Sequence, residues 1–218
     1  MWIWAGTSKK PKYIPLEEVS ANLPRNSSSA LLPFHAITGC NSTSFFCAHW
    51  KKTAWKVFTE HFALLSAVGE GVFDSFTISS AEKFVCRMYN TSEESLDFAR
   101  VVLFSKVDNP EKLPPTSDAF GQHLKRCHYQ TAVWRQAHIQ KPVLTNPKET
   151  GWMLTGDQLV PVLLTLDPIP EACLELASCR CTTGRATLRC KCRKSHVVCT
   201  GQCGCNKVDA NCCVNPRR

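Results

Sequence analysis

The sequence predicts a mainly α-helical protein with a small β hairpin (α+β), followed by a C-terminal cysteine-rich module with little regular structure. Three observations predict it. Apolar residues recur at helical spacing over several stretches, most clearly from 117 to 139. Residues 142–170 alternate instead, and Pro142, Asn146-Pro147 and Thr155-Gly-Asp157 cut them into short pieces, the pattern of a hairpin turning at Gly156. Nine of the 14 cysteines fall between Cys179 and Cys213, where few apolar side chains remain to build a core.

Residues 2–15 read as a strand, a turn and a second short strand; a chain that starts in mid-strand leads to the expectation of further sequence upstream. Leu16 to Leu23 reads as a short helix with Glu17 and Glu18 in its first turn and Pro24 at its end. Asn26 to Ser29 is a loop or a cap. Ala30 to Asn41 is a buried-looking apolar segment closed by a Gly-Cys-Asn turn. From Lys51 to about Val68 the spacing is helical, with Ala54, Phe58, Phe62 and Leu65 on one face and Trp55 beside them. Two short helices follow. Ser79 or Ser80 caps the first, over Ala81 to Tyr89. Ser92 caps the second, with Glu93 and Glu94 in its first turn and Leu96, Ala99, Val102 and Leu103 facing inward.

Leu113-Pro-Pro-Thr116 is a stiff connector. Ser117 then caps the longest helix, which runs to about Ile139 and aligns Phe120, Leu124, Cys127, Thr131, Trp134 and His138. Lys125, Arg126 and Arg135 lie off that stripe and read as a solvated face. His123 and Cys127, four residues apart, share a helix face but lack a second ligand pair, so packing is their expected role. Cys40, Cys47 and Cys86 read as buried free thiols. The chain divides into a helical region at 1–112, the long helix and hairpin at 113–172, and the cysteine module at 173–218.

The cysteine spacing is C-x-C, eight residues, C-x-C, six residues, C-x3-C-x-C, six residues, C-C. Cysteines one residue apart serve one metal ion or two neighbouring ones. Zinc takes four tetrahedral sulfur or nitrogen ligands, and such sites supply folding energy to modules too small for a core. The expected ligands are Cys179, Cys181, Cys190, Cys192, Cys199, Cys203, Cys205, Cys212 and Cys213. The competing disulfide reading requires an oxidising compartment. The N-terminal MWIWAGTSKKPK lacks the pattern of a secretory leader, so an intracellular, nuclear setting is expected.

Charge follows the cysteines. Residues 179–218 carry nine basic side chains against Asp209 alone, while residues 1–178 balance at 17 of each sign, so the net charge of +8 lies on the tail. A basic surface favours polyanions by counterion release. Arg180, Arg185, Arg189, Lys191, Arg193 and Lys194 are the expected nucleic-acid contacts, joined by Lys51 and Lys52 at the start of their helix. No run of residues approaches the length of a membrane span.

Cys179-Arg-Cys181, Cys190-Lys-Cys192-Arg-Lys, Cys199-x3-Cys203-Gly-Cys205 and Cys213-Val-Asn215 resemble the tesmin-type CXC domain. That resemblance implies about three zinc ions and contact with DNA. The chain departs from the family in having no lone cysteine between the first two pairs, and in carrying Arg189 where DNA-reading members have a tyrosine. Upstream, LLPFHAITGC…KKTAWKVF resembles the helix-hairpin-helix region of structure-specific 5′ nucleases of the flap endonuclease and PIN-like group. Together with LPPTSDAF…YQTAVWRQA and the GW…PV segment, it is similar to animal transposable-element-derived proteins that join such a region to a CXC-like tail.

In the nuclease pattern an aspartate after Gly-Cys helps hold catalytic Mg²⁺, and a glycine-rich loop grips phosphate. This chain has Asn41 at the aspartate position, and its Cys47-Ala-His-Trp50 loop lacks glycine. The paired aspartates that the pattern implies before the first strand are expected outside this sequence. Two-metal hydrolysis needs a carboxylate cluster, and Glu17, Glu18 and Glu60 do not match that role. The expectation is therefore a zinc-dependent nucleic-acid-binding protein, with DNA as its target, on a catalytically degenerate scaffold with no catalytic residue. A divalent-metal nuclease, or an inactive transposon-derived fragment, is the alternative. A Cys-His pair drawn from Cys40, Cys47, His35 and His49 has no orienting third group in the sequence.

Overall fold

The computed structural model describes residues 1–104, 109–166, 191–194 and 203–204. The chain forms two compact units, Met1–Thr165 and Leu166–Arg218. The first is mainly α with two antiparallel hairpins. Strand β1 (Trp2–Thr7) pairs with β2 (Lys10–Pro15), Trp2 opposite Pro15, and α1 (Leu16–Ala21) follows directly.

Helix α2 (Ser28–Ile37) carries Pro33 in its interior. Proline has no N–H to donate to the carbonyl four residues back. Here that carbonyl belongs to Ser29, and Arg135 Nη2 donates to it at 2.7 Å. The helix ends at Gly39, which adopts φ +97° and whose Cβ, if present, would lie 2.7 Å from Phe45 Cβ. Only glycine fits that turn. Helix α3 (Lys51–His61) then continues as a 3-10 turn, Phe62–Leu65. Ala54, Phe58 and Leu65 are buried and Phe62 half-buried, so the face read from the spacing is the one that packs.

The next two helices start later or earlier than the sequence suggests. Helix α4 (Ser75–Met88) begins at Asp74, whose Oδ1 accepts from the Thr77 N–H at 2.8 Å and the Thr77 hydroxyl at 2.7 Å. Ser79 and Ser80, the expected caps, lie inside the helix. Aspartate wins because its charged side chain meets both the free N–H groups and the helix dipole. Helix α5 (Leu96–Phe104) starts four residues after Ser92 and buries Leu96 and Ala99, but Val102 is 40% exposed rather than inward.

Helix α6 (Ser117–Arg135) is capped by Thr116, whose hydroxyl accepts from the Ala119 N–H; Ser117 is its first helical residue. Phe120, Leu124, Cys127 and Thr131 are buried and Trp134 is half-buried. His138 falls beyond the helix end and is exposed. Strands β3 (Trp152–Thr155) and β4 (Gln158–Pro161) make the expected hairpin at Gly156. Arg126 ties it to α6: it donates to the carbonyls of Gly151 and Val162 and sits 5.9 Å over the Trp152 ring. Arg126 is therefore 3% exposed and not part of a solvated face.

One core joins these helices. Phe34 of α2 lies 4.8 Å from Phe58 of α3 and edge-on to Phe84 of α4 at 6.5 Å, while α6 adds Phe120, Leu124 and Cys127. The residues on either side of position 112 thus share a single apolar interior. Among the described residues no helix is long and apolar enough to cross a membrane. In the second unit, Lys191–Lys194 forms a single helical turn.

Candidate functional site

The loop after α2 carries the Gly-Cys-Asn turn. Asn41 is exposed. Around it the hydrogen bonds run between neutral groups. The Thr43 hydroxyl donates to the Ala36 carbonyl at 2.7 Å, and the Ser42 hydroxyl donates to Gln130 Oε1 at 2.6 Å. Cys40 Sγ lies 3.0 Å from Thr43 Oγ1 and 3.3 Å from Ser42 Oγ. Burial alone would push the Cys40 thiol up, but the hydroxyl and backbone hydrogen bonds of Ser42 and Thr43 outweigh it and hold its pKa below the ordinary value. Its polar partners are hydroxyls and not a histidine. Cys40 is half-buried and Cys47 exposed, whereas burial was expected for both; Cys86 is buried as expected.

Lys51 turns inward. Its Nζ donates to the His35 carbonyl at 2.9 Å and to Thr38 Oγ1 at 2.8 Å, placing a cation at the C-terminal end of α2. Partial burial lowers its pKa, and the same burial, with Lys51 as neighbour, lowers that of His35. Lys52 is exposed. The two lysines read as nucleic-acid contacts on α3 are thus both exposed, and Lys51 is in addition hydrogen-bonded to the end of α2.

A cavity of about 340 Å³ opens between the loop at 44–47, the end of α4, the connector at 111–115 and α6. Phe46, Tyr89, Phe120, His123 and Leu164 line it, with Glu111 at its edge. His123 is 8% exposed, and burial pushes its pKa down to about 4, so the ring is neutral near pH 7. Its Nε2 lies 3.0 Å from the Ile37 carbonyl and 3.3 Å from Cys127 Sγ. A carbonyl only accepts, so Nε2 carries the proton and Nδ1 is a bare acceptor. That Nδ1 is buried with no hydrogen-bond partner among the described residues. Cys127 is fully buried and its thiol pushed well up, so the His123–Cys127 pair is a core contact and not an activated nucleophile. Sequence reasoning missed this cavity. His123 was visible as a polar residue on an apolar helix face, but the walls come from five separate segments, Leu163 and Leu164 among them.

In the second unit Cys192 and Cys203 are buried, at 3% and 0% exposure, and their sulfurs stand 3.7 Å apart with no disulfide between them. A disulfide requires about 2.05 Å. Two thiolates on one zinc, each at about 2.3 Å, are separated by the edge of the tetrahedron, about 3.8 Å. The pair fits a shared metal. Lys194 is exposed beside it, and Lys191 and Arg193 lie on the same helical turn. Cys179, Cys181, Cys190, Cys199, Cys205, Cys212 and Cys213, with Arg180, Arg185 and Arg189, lie outside the described residues. Among the described residues no group of three or more His, Cys, Asp or Glu is placed to hold a metal ion. No protein-family model, no curated protein and no solved structure matches the chain.

Proposed function

We propose that this chain is a zinc-dependent nucleic-acid-binding protein of the nucleus, with DNA as its target, in which a helical nuclease-like scaffold without catalytic carboxylates carries a basic, metal-held tail. The observation that carries the reading is the buried Cys192–Cys203 pair, whose 3.7 Å spacing suits a common zinc ion. Zinc would hold the tail's backbone where apolar side chains are too few to do so. The nine basic side chains of residues 179–218 then supply the phosphate contacts. On α3, Lys52 and Lys51 are both exposed and are further candidate contacts. Asn41, neutral and exposed, gives a hard cation little to bind.

The test is elemental analysis of full-length protein purified under reducing conditions, paired with DNA binding over a range of salt. About three zinc ions per chain are expected from the family resemblance. The logarithm of the binding constant should fall linearly with that of salt, and chelation should abolish binding. A metal-free protein that binds DNA equally well with and without chelator would sink the reading.

A further inference from the structure

We propose that the β1–β2 hairpin binds single-stranded nucleic acid by stacking unpaired bases on Trp2, Trp4 and Tyr13. Side chains alternate across a strand, and directly opposed residues of paired strands share a face. The register sets Trp4 opposite Tyr13 and Trp2 opposite Pro15, so the three rings stand on one face of the hairpin together with Pro11 and Pro15. Trp2 is 64%, Trp4 58% and Tyr13 62% exposed, so most of each ring is open to solvent. Residues two apart on a strand lie about 6.6–6.8 Å apart, twice the roughly 3.4 Å rise per base of a stacked strand. One base therefore fits between the Trp2 and Trp4 indoles.

Charge selects the partner. Lys9, Lys10 and Lys12 lie at the turn and on the opposite face, and residues 1–16 hold no acidic side chain. Their long stems reach round the hairpin's edges to phosphates while the rings take the bases. Aromatic faces beside lysines hold single strands without regard to sequence, because every base has a π-face. Two other occupants fit less well. A lipid surface calls for aliphatic side chains beside the tryptophans, but Ile3 and Ile14 share the other face with Lys10 and Lys12. A second copy of the chain needs roughly 800 Å² per partner, and three rings at this exposure offer on the order of half that. Duplex keeps its bases stacked inside and is left to the tail. The hairpin belongs to the first unit, so its binding does not require zinc.

The experiment is titration of the full-length chain, with zinc and again in chelator, against oligothymidylate and against an abasic strand of the same length and charge, read by anisotropy of a dye on the strand. Oligothymidylate should bind about tenfold or more tightly than the abasic strand, and the preference should persist in chelator, which separates this site from the tail. Trp2→Leu/Trp4→Leu keeps apolar bulk but removes two stacking faces, and should bring the two affinities within about threefold of each other. Trp2→Phe/Trp4→Phe keeps ring faces in the same strands and should retain most of the preference, so loss through misfolding is told apart from loss of stacking. Replacing Lys9, Lys10 and Lys12 with Gln should flatten the salt dependence by about two units of slope. Equal affinity for the two strands in the wild-type chain, or a preference untouched by the leucine pair, would overturn the proposal. Binding to anionic vesicles or self-association that the leucine pair abolishes, with no change on the single strand, would overturn it in favour of the other occupant.

Discussion

Buried cysteines occur in both units of this chain, and they are buried in opposite company. Cys86 and Cys127 lie among phenylalanines, leucines and valines of the first unit. Burial pushes the Cys86 thiol up to about 11 and that of Cys127 higher still, so both pack as protonated apolar groups. Cys192 and Cys203 are as deeply buried, but they come from a stretch rich in lysine and arginine and poor in apolar residues. The thiolate is the form that binds metal, so the zinc proposed for the tail requires these sulfurs to ionise. The contrast teaches that burial alone does not assign a cysteine its role: the first unit's buried thiols are filler, while the proposal makes those of the tail ligands.

Chelation separates the two most sharply. A structural zinc site contributes on the order of 10–16 kcal/mol of apparent binding free energy. Removing zinc should therefore open residues 166–218 to protease while leaving 1–165 protected. All six tryptophans lie in the first unit, so their fluorescence should not change on chelation while proteolysis of the tail accelerates. A tryptophan change of the same midpoint as the tail's loss would mean that the two units do not hold themselves separately.

The next largest effect belongs to the apolar unit. Phe58 is fully buried against Phe34 and stacked with Trp55 at 4.9 Å. Phe58→Ala should lower stability by about 3–5 kcal/mol in urea unfolding followed by tryptophan fluorescence. Zinc content per chain should be unchanged. Loss of zinc along with loss of the core would break the comparison.

Acid sharpens it further. The folded His123 has its pKa near 4, against about 6.5 when unfolded. Between these values the unfolded chain binds a proton that the folded chain refuses. Stability should thus fall as pH drops from 6.5 to 4 and level off below, by up to about 3 kcal/mol for this group. His35, His49 and His128 are also shifted down, chiefly by burial, and add slope of the same sign. The difference between wild type and His123→Gln in urea midpoint against pH isolates His123. An identical slope in both proteins would contradict its buried, neutral state.

How much of this could be read in advance depended on whether the deciding interaction was local. The stripe Phe120, Leu124, Cys127 and Thr131 follows helical spacing, and the turn at Gly156 is set by its own residues, so both were legible. Asp74 was overlooked as a cap because two serines lay nearer the apolar run, although aspartate is as strong an N-cap as serine. Arg126 was read as a surface charge because its partners, the Gly151 and Val162 carbonyls, lie 25 and 36 residues away. The cavity around His123 draws on five segments, and no pattern within one segment reports a gap between several. The spacing of the tail's cysteines suggested metal ligands, but spacing does not carry their pairing, since any two of nine cysteines satisfy it equally.

The smallest predicted effect tests how the apolar unit handles a defect in its own ladder. Pro33 leaves the Ser29 carbonyl without its helical donor, and Arg135 supplies one from α6 while also meeting Glu70 Oε1 at 3.0 Å. Arg135→Met keeps most of the apolar stem and removes the donor, and should cost about 1 kcal/mol in urea unfolding. The Glu70 pair is half exposed and contributes little, so Glu70→Gln should be near neutral. Pro33→Ala restores a backbone N–H that reaches Ser29 from within α2. In that background Arg135→Met should cost clearly less than in the wild-type chain, a coupling that a double-mutant cycle reads directly. Equal costs in the two backgrounds would show that Arg135 acts through packing or charge and not through the orphaned carbonyl.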